Sequence, residues 1–162
     1  MKIDKYIDID INKQLLTLFE EKNVIYSYAI STAKNGVGQQ NGSECTPLGK
    51  HIIDSKIGDD AKENSVFVGR EETGEIFSEE LRKTNPERDW ILTRILWLSG
   101  QEEGKNRGGE VDTKSRYIYI HGCPDSDSFS MPSSHGCVKM RNKDIVDLFK
   151  NIDVGTHVFI HE

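Results

Sequence analysis

The sequence predicts a mainly β domain, a sandwich or barrel-like structure with one or two short helices packed at its edge. Short runs with alternating or β-branched residues recur along the chain, and turn-forming segments rich in Gly, Asn and Pro separate them. Only one segment has clear helical spacing. Because 162 residues allow one hydrophobic core and make a second unexpected, we predict a single domain over residues 1–162.

The predicted strands follow from period-two or β-branched patterns, and they are residues 3–11, 15–19, 24–31, 51–57, 66–69, 91–98, 117–120 and 156–160. The segments 33–50 and 99–116 carry enough Gly, Asn and polar residues to form turns or longer surface loops. Within the second, the Gly-rich stretch 100–109 is compatible with a lid, although an ordinary mobile connection is the preferred interpretation.

A helix is predicted over residues 143–152, with Asn142 as its N-cap and Gly155 beyond its end. The apolar residues that fall on one face of this helix are Ile145, Leu148, Phe149 and Ile152. A second, less clear helix is predicted over 77–83 and ends before Asn85-Pro86, since the residue before proline avoids helical geometry.

Composition excludes some classes of partner and favours one compartment. The net charge is −6, and the 21 basic residues are scattered among 27 acidic ones, so a nucleic-acid partner is not expected. The first twenty residues alternate charged with apolar positions, so neither a signal peptide nor a membrane span is expected. We therefore predict a cytoplasmic protein; a periplasmic location is the alternative if a leader has been removed.

The segment 117–142 contains the candidate catalytic residues. A predicted buried strand ends at His121-Gly122, and a loop with two prolines leads from there to Cys137. A thiol with a pKa of about 8.5 is only partly ionised at neutral pH, and a neighbouring imidazole can accept its proton. We predict that Cys137 is a nucleophile and His121 its base.

A glycine next to each residue of this pair, Gly122 after His121 and Gly136 before Cys137, favours the same chemistry. Gly136 allows a tight turn in which backbone N–H groups, including that of Cys137, face a developing oxyanion. The second nitrogen of His121 needs an acceptor that fixes the tautomer, and the carbonyl of Gly122 or another nearby group could serve.

These motifs resemble a known family. His121-Gly122 followed by Ser134-His135-Gly136-Cys137-Val138-Lys139-Met140-Arg141-Asn142 is similar to the signature of the YkuD-type L,D-transpeptidases. The segment Thr46-Pro47-Leu48-Gly49 resembles the family's TPxG element, and the opening 9–20 and closing 155–158 segments are also similar. The resemblance covers nearly the whole chain.

The resemblance implies an L,D-transpeptidase-like β-sandwich that needs no metal or organic cofactor and acts on peptidoglycan stem peptides or muropeptides. Its cysteine would form a thioester at the third residue of a stem tetrapeptide and expel D-alanine. Cys137 would be the nucleophile, His121 the base and Gly122 the orienting carbonyl. Gly136 and Cys137 would supply oxyanion donors, and Ser134 and His135 would shape the pocket.

Two residues depart from the pattern. Lys139 stands where many members of the family have Arg, so a positive charge is kept but the forked geometry for a carboxylate is lost. Cys123 creates a second His-Gly-Cys-like cluster, and its role as packing residue or spare thiol stays open. Lys139 and Arg141 could bind substrate carboxylates or simply face solvent.

The remaining cysteine and histidines have structural interpretations. Cys45 is expected to fill space, as free cysteines usually do. His51, His157 and His161 are expected to be surface or packing residues.

A different class of function is a structural zinc module. His121, Cys123, His135 and Cys137 form a ligand set that zinc accepts, although each His-x-Cys pair is closer than in common zinc sites. The nucleophile interpretation is preferred.

Within the enzyme interpretation, the predicted compartment decides the reaction. Cross-linking needs assembled peptidoglycan outside the membrane, whereas free muropeptides return to the cytoplasm for recycling. We therefore predict an L,D-carboxypeptidase that removes D-alanine from the meso-diaminopimelate centre of tetrapeptides. The alternative is an L,D-transpeptidase that forms cross-links or exchanges D-amino acids.

Overall fold

The computed structural model describes residues 4–162 and is mainly β, as predicted. Its strands are β1 (Lys5–Asp10), β2 (Leu15–Glu20), β3 (Asn23–Ser31), β4 (Gly49–Ile57), β5 (Ser65–Val68), β6 (Glu71–Ile76), β7 (Ile91–Gly100), β8 (Tyr119–Gly122), β9 (Val138–Met140) and β10 (His157–His161). The helices are α1 (Glu79–Thr84) and α2 (Asn142–Asn151), with a short 3-10 turn at Gly109–Val111.

The strands form one sheet that closes on itself. Its order is β4-β10-β1-β2-β3-β9-β8-β7-β5-β6, and β4 also pairs with β7. This second pairing joins the two ends of the run from β4 to β7, so a closed ring results, and the β5–β6 hairpin extends from β7. Most neighbours are antiparallel, but β1 pairs with β10 and β8 with β9 in parallel.

The main core lies inside this ring, and α2 closes one side of it. The apolar stripe of α2 is buried against the same core, as its spacing predicted. The fully buried core side chains include Ile7, Ile9, Leu16, Leu18, Ile30, Ile53, Leu96, Leu98 and Ile120. A second cluster contains Phe67, Ile95 and Tyr119, and the partly buried Cys137 packs against it.

Several boundaries differ from the predictions. His121 and Gly122 are the last residues of β8 instead of following it, and Tyr117 is outside the strand because its φ of 57° does not suit a ladder. The strands β6 and β9 were not predicted. The first predicted strand begins at residue 3, which lies outside the described part of the chain.

The start of α2 also differs. Asn142 is the first residue of the helix, and Arg141 occupies the cap position without a side-chain cap bond. The Asn142 side chain is buried instead, where it donates to Cys123 O at 2.8 Å and accepts from Thr93 Oγ1 at 2.5 Å. The carboxylate of Asp125 accepts from the Asn142 backbone N–H. Tertiary bonding therefore replaces the predicted capping role.

The Gly-rich 100–109 stretch is anchored to the ring. Asn106 is fully buried and donates to Leu48 O at 3.1 Å and Lys50 O at 3.0 Å. Such an anchor suits a connection better than a lid. In the described residues, neither helix has the length and apolar character needed to cross a membrane.

Candidate active site

The parallel pair β8 and β9 brings the predicted nucleophile and base to one face of the sheet. His121 is opposite Lys139 in the register, and Cys137 immediately precedes β9. Continuing that register by one position places Cys137 beside Tyr119, two residues before His121. Because side chains alternate along a strand, Cys137 and His121 are diagonal neighbours on the same face.

The tautomer of His121 is fixed by its own strand. Nδ1 lies 2.7 Å from Gly122 O, and since a carbonyl can only accept, Nδ1 carries the proton and donates. The ring is 1% exposed, and this burial lowers its pKa, while the charge of Asp89 and the bond to Gly122 oppose the shift. A neutral ring with this tautomer presents an unprotonated Nε2.

The close fit around Gly122 requires a residue without a side chain. A Cβ at this position would lie 2.5 Å from Leu92 O and 2.6 Å from Asn142 Oδ1. The Gly122 carbonyl is thus held in place by packing on both sides, which keeps the imidazole orientation fixed.

The thiol of Cys137 is held by two backbone groups. Sγ donates to Tyr117 O at 3.4 Å and accepts from the Tyr119 N–H at 3.3 Å. Burial raises the pKa of Cys137 to about 12, and the Tyr119 amide and the Arg116 charge oppose this shift. Among residues 4–162 no hydrogen bond joins Sγ to His121, so the expected thiol–imidazole bond is absent in this state.

The turn before Cys137 is fixed by two hydroxyl groups. Ser134 Oγ donates to Cys137 O at 2.5 Å and accepts from the Gly136 N–H at 3.2 Å. Thr46 Oγ1 donates to Gly136 O at 2.9 Å and accepts from Ala33 N at 3.0 Å. Gly136 has a φ of 131°, as the predicted tight turn requires.

This arrangement modifies the predicted oxyanion site. The Gly136 N–H is already bonded to Ser134, so it is not free in this state. The N–H of Cys137 has no acceptor within the part of the chain that the structure describes. Of the two predicted donors, only the Cys137 amide is available without rearrangement.

A cavity of about 220 Å³ opens beside this turn. Its walls include the predicted pocket residues Ser134, His135 and Lys139, and the rest of the lining is Arg82, Pro86, Arg88, Asp89, Trp90, Asp127 and Ser133. Lys139 Nζ is paired with Asp127 at 2.8 Å, whereas His135 is exposed. The structure therefore brings three of the four predicted supporting residues to one cavity.

Other candidate residues lie elsewhere. Arg141 is exposed, its guanidinium stacks over Phe129, and it does not line the cavity. Cys123 is fully buried, its thiol faces Met140 O at 3.5 Å, and burial raises its pKa to about 12. Cys45 is a free, partly buried thiol.

The zinc alternative has no support in the geometry. Across residues 4–162, no three His, Cys, Asp or Glu side chains converge where a metal could bind. His121 instead bonds to a carbonyl, and Cys123 and Cys137 bond to backbone groups.

Three positions around the thiol were not identified from the sequence. Arg116 donates to Cys45 O at 2.7 Å, and its charge favours the thiolate of Cys137. Tyr117 and Tyr119 contact the sulfur through backbone atoms, which no residue pattern reveals. The strand partner of Tyr119 could have been found only by knowing that β8 and β9 pair in parallel.

A closed β structure with a cysteine and a tautomer-fixed histidine on one face has the organisation of a cysteine acyl-transfer domain. The family model of the YkuD L,D-transpeptidase catalytic domain matches residues 4–160. The chain belongs to this family.

Individual relatives agree with this assignment. The probable L,D-transpeptidase YbiS of Escherichia coli strain K12 is 46% identical over 48 residues, which are 29% of this chain and 16% of that protein. L,D-transpeptidase 3 from Mycobacterium tuberculosis, solved with a faropenem-derived adduct, is 14% identical with a TM-score of 0.61, and the match covers 99% of this chain and 61% of that one.

A further solved structure, Bdellovibrio bacteriovorus Bd1075, is 18% identical with a TM-score of 0.61, covering 97% of this chain and 47% of that one. At such identities the structural matches show the shared fold. By the coverage values, the chain spans less than two thirds of the length of each of these relatives.

Proposed function

We propose that this domain is a cysteine acyl-transfer enzyme that cleaves peptidoglycan stem tetrapeptides at the L,D bond between meso-diaminopimelate and D-alanine. The observation that carries the proposal is the Nδ1–H···O=C bond from His121 to Gly122, which leaves Nε2 as a base on the face that holds Cys137. Membership of the L,D-transpeptidase family supports the substrate class.

In the first step the thiol proton of Cys137 passes to His121 Nε2 as sulfur attacks the carbonyl carbon of the third residue. The new S–C bond creates a tetrahedral oxyanion, which the Cys137 N–H is free to stabilise. The imidazolium then gives its proton to the departing amine and the C–N bond breaks. D-alanine is released, and the third residue stays bound to Cys137 as a thioester.

In the second step an acceptor loses a proton to His121 and attacks the thioester, and the proton returns to the departing sulfur. Water as acceptor gives a tripeptide and makes the enzyme a carboxypeptidase, whereas an amine gives a cross-link or an exchanged peptide. Hydrolysis in the cytoplasm, the preference drawn from the sequence, is retained as the first form of the proposal, and transfer is the second.

The test is to incubate the protein with a disaccharide tetrapeptide, with and without a D-amino acid, and to weigh protein and products. We expect a covalent acyl adduct on Cys137 and loss of D-alanine. Tripeptide alone supports hydrolysis, and dimers or exchanged peptides support transfer.

Two variants make this experiment specific. Cys137→Ala should form no adduct with tetrapeptide or with a carbapenem and should keep its fold by circular dichroism. Cys45→Ala is the matched control, because it removes a free thiol outside the pair, and it should react like the wild type. An adduct on Cys123, or no adduct on any cysteine, would contradict the proposal.

A further inference from the structure

The cavity lined by Ser134 and His135, in the turn that precedes Cys137, has one wall with an excess of positive charge. Asp127 accepts from Lys139 Nζ at 2.8 Å and from Arg82 at 2.7 Å, so two cations share one carboxylate. All three side chains are largely buried, at 14% exposure for Lys139 and 29% for Arg82. Partial burial limits screening of the remaining positive charge by solvent.

A third cation of the lining is already neutralised. Arg88 forms two hydrogen bonds with Glu75, at 3.1 and 2.8 Å, and Glu75 is outside the cavity. The positive charge left for a ligand therefore belongs to the Arg82–Asp127–Lys139 cluster.

Two residues of the cavity lining contain buried hydrogen-bond donors without acceptors. Trp90 is 7% exposed, and its indole Nε1–H is buried with no acceptor among residues 4–162. The Nε–H of Arg82 is also buried and has no acceptor among residues 4–162. Because buried N–H groups are nearly always paired in folded proteins, both lining residues call for an acceptor oxygen from outside the chain.

The cavity also presents a carboxylate that the protein leaves unpaired. Asp89 is exposed at the lining and has no hydrogen bond or ion pair in the described chain. A lone carboxylate next to a positive cluster suits a ligand with a cationic group close to an anionic one.

We propose that this cavity binds an amino-acid zwitterion, with its carboxylate on Arg82, Lys139 and Trp90 and its ammonium at Asp89. The inference rests on the proposed function: the side chain of meso-diaminopimelate ends in a carbon that bears both a free ammonium and a free carboxylate. The departing D-alanine has only the carboxylate before cleavage. The cavity therefore selects the D-centre of the third residue, next to the carbonyl that Cys137 attacks.

The experiment measures kcat/KM for three tetrapeptides: one with meso-diaminopimelate, one with its D-centre carboxylate amidated, and one with its D-centre amine acetylated. Wild-type protein should prefer the unmodified peptide by roughly 10- to 100-fold over each derivative, as expected for one charge-assisted interaction. The preferences are ratios within one protein, so changes in folded fraction or in His121 basicity cancel.

Each variant should weaken one preference only. Trp90→Phe removes the indole N–H but keeps the ring, and it should reduce the preference over the amidated peptide to a few-fold. Asp89→Asn should reduce the preference over the acetylated peptide in the same way and leave the other ratio unchanged. Asp60→Asn, an exposed carboxylate in another part of the surface, is the control and should keep both ratios.

Wild-type ratios in either Trp90→Phe or Asp89→Asn would overturn the inference, as would equal turnover of all three peptides by the wild type. Because Asp89 is exposed, Asp89→Asn stays informative if Trp90→Phe folds poorly. Absence of reaction with every peptide would instead refute the proposed function.

Discussion

At the residue scale, the Cys137 and His121 pair is neutral in this state. Burial raises the pKa of the thiol to about 12 and lowers that of the imidazole, so neither group is charged at neutral pH. In the proposed reaction the thiol proton therefore moves to His121 Nε2 while the sulfur attacks the substrate carbonyl, and no thiolate–imidazolium pair forms beforehand.

This neutral state predicts the pH dependence of alkylation. Only the thiolate reacts quickly, so the rate of Cys137 modification by iodoacetamide should rise about tenfold per pH unit from 7 to 10. The measurement is mass spectrometry of the wild type and of Cys45→Ala, in which one competing thiol is removed. A rate that levels off near pH 7 would indicate a preformed thiolate–imidazolium pair.

Thr46 provides a second residue-scale prediction. Its hydroxyl joins Gly136 O to Ala33 N, and Thr46→Val keeps the shape but leaves both groups unpaired. We expect a loss of about 2 kcal/mol in the free energy of unfolding and at least an approximately tenfold fall in the acylation rate, since the turn before Cys137 loosens.

The matched control is Thr17→Val, which removes another buried hydroxyl, bonded to Ser27. It should lose stability without a loss of acylation rate. Equal acylation rates in both variants would show that Thr46 only stabilises the fold.

Residue identities were the part of the site most accessible from sequence. The pattern around His121 and Ser134 to Cys137 selects residues that the fold does bring together, although their catalytic roles remain predictions. Arg116 and the backbone of Tyr117 were inaccessible, because their contacts with the thiol depend on how separate loops meet and not on a local motif.

At the element scale, strands with several buried apolar residues were predicted best. β2, β4 and β7 lie close to their expected positions because apolar residues mark their buried faces. β6 has the sequence EETGEI and is an exposed edge strand, so it carries no such mark. β9 has only three residues, fewer than a periodic pattern needs.

The beginning of α2 leads to an element-scale prediction. Asn142→Ala should lower the free energy of unfolding by about 3 kcal/mol, because Cys123 O and Thr93 Oγ1 lose their buried partner. Urea titration followed by circular dichroism measures this loss. Asn151→Ala, at the partly exposed end of the helix, should cost less than half as much.

An Asn142→Ala variant as stable as Asn151→Ala would contradict the network assigned to Asn142.

At the scale of the whole molecule, the closed sheet buries His51 of β4. The imidazole of His51 is fully buried, with Nδ1 at 3.0 Å from Gly49 O and Nε2 at 2.9 Å from Thr113 Oγ1. Burial lowers the pKa of His51 to about 4, despite the opposing bond to Gly49. Of the two roles expected for this residue, packing is the one observed.

The shift determines how stability depends on pH. Between pH 6.5 and 4 the unfolded chain binds a proton at His51 that the folded chain does not. The contribution of the uncharged His51 to the free energy of unfolding is therefore complete above pH 6.5 and is lost as the pH falls towards 4. The total contribution is about 3 kcal/mol. Urea unfolding should show that the stability difference between wild type and His51→Gln shrinks from pH 7.5 to 4.5.

His157→Gln, at an exposed position of β10, is the control and should show a difference that does not change with pH in this way. A constant difference for His51→Gln would contradict the burial of an uncharged ring.

The place of β10 in the ring has a consequence for biosynthesis. β10 lies between β1 and β4, so β1 has no partner on that side until β10 has been translated. Since a ribosome covers the most recently added residues, the ring can close only after β10 has left the exit tunnel. Until then the unpaired edges of β1 and β4 are the sites where a nascent chain would need protection by a chaperone.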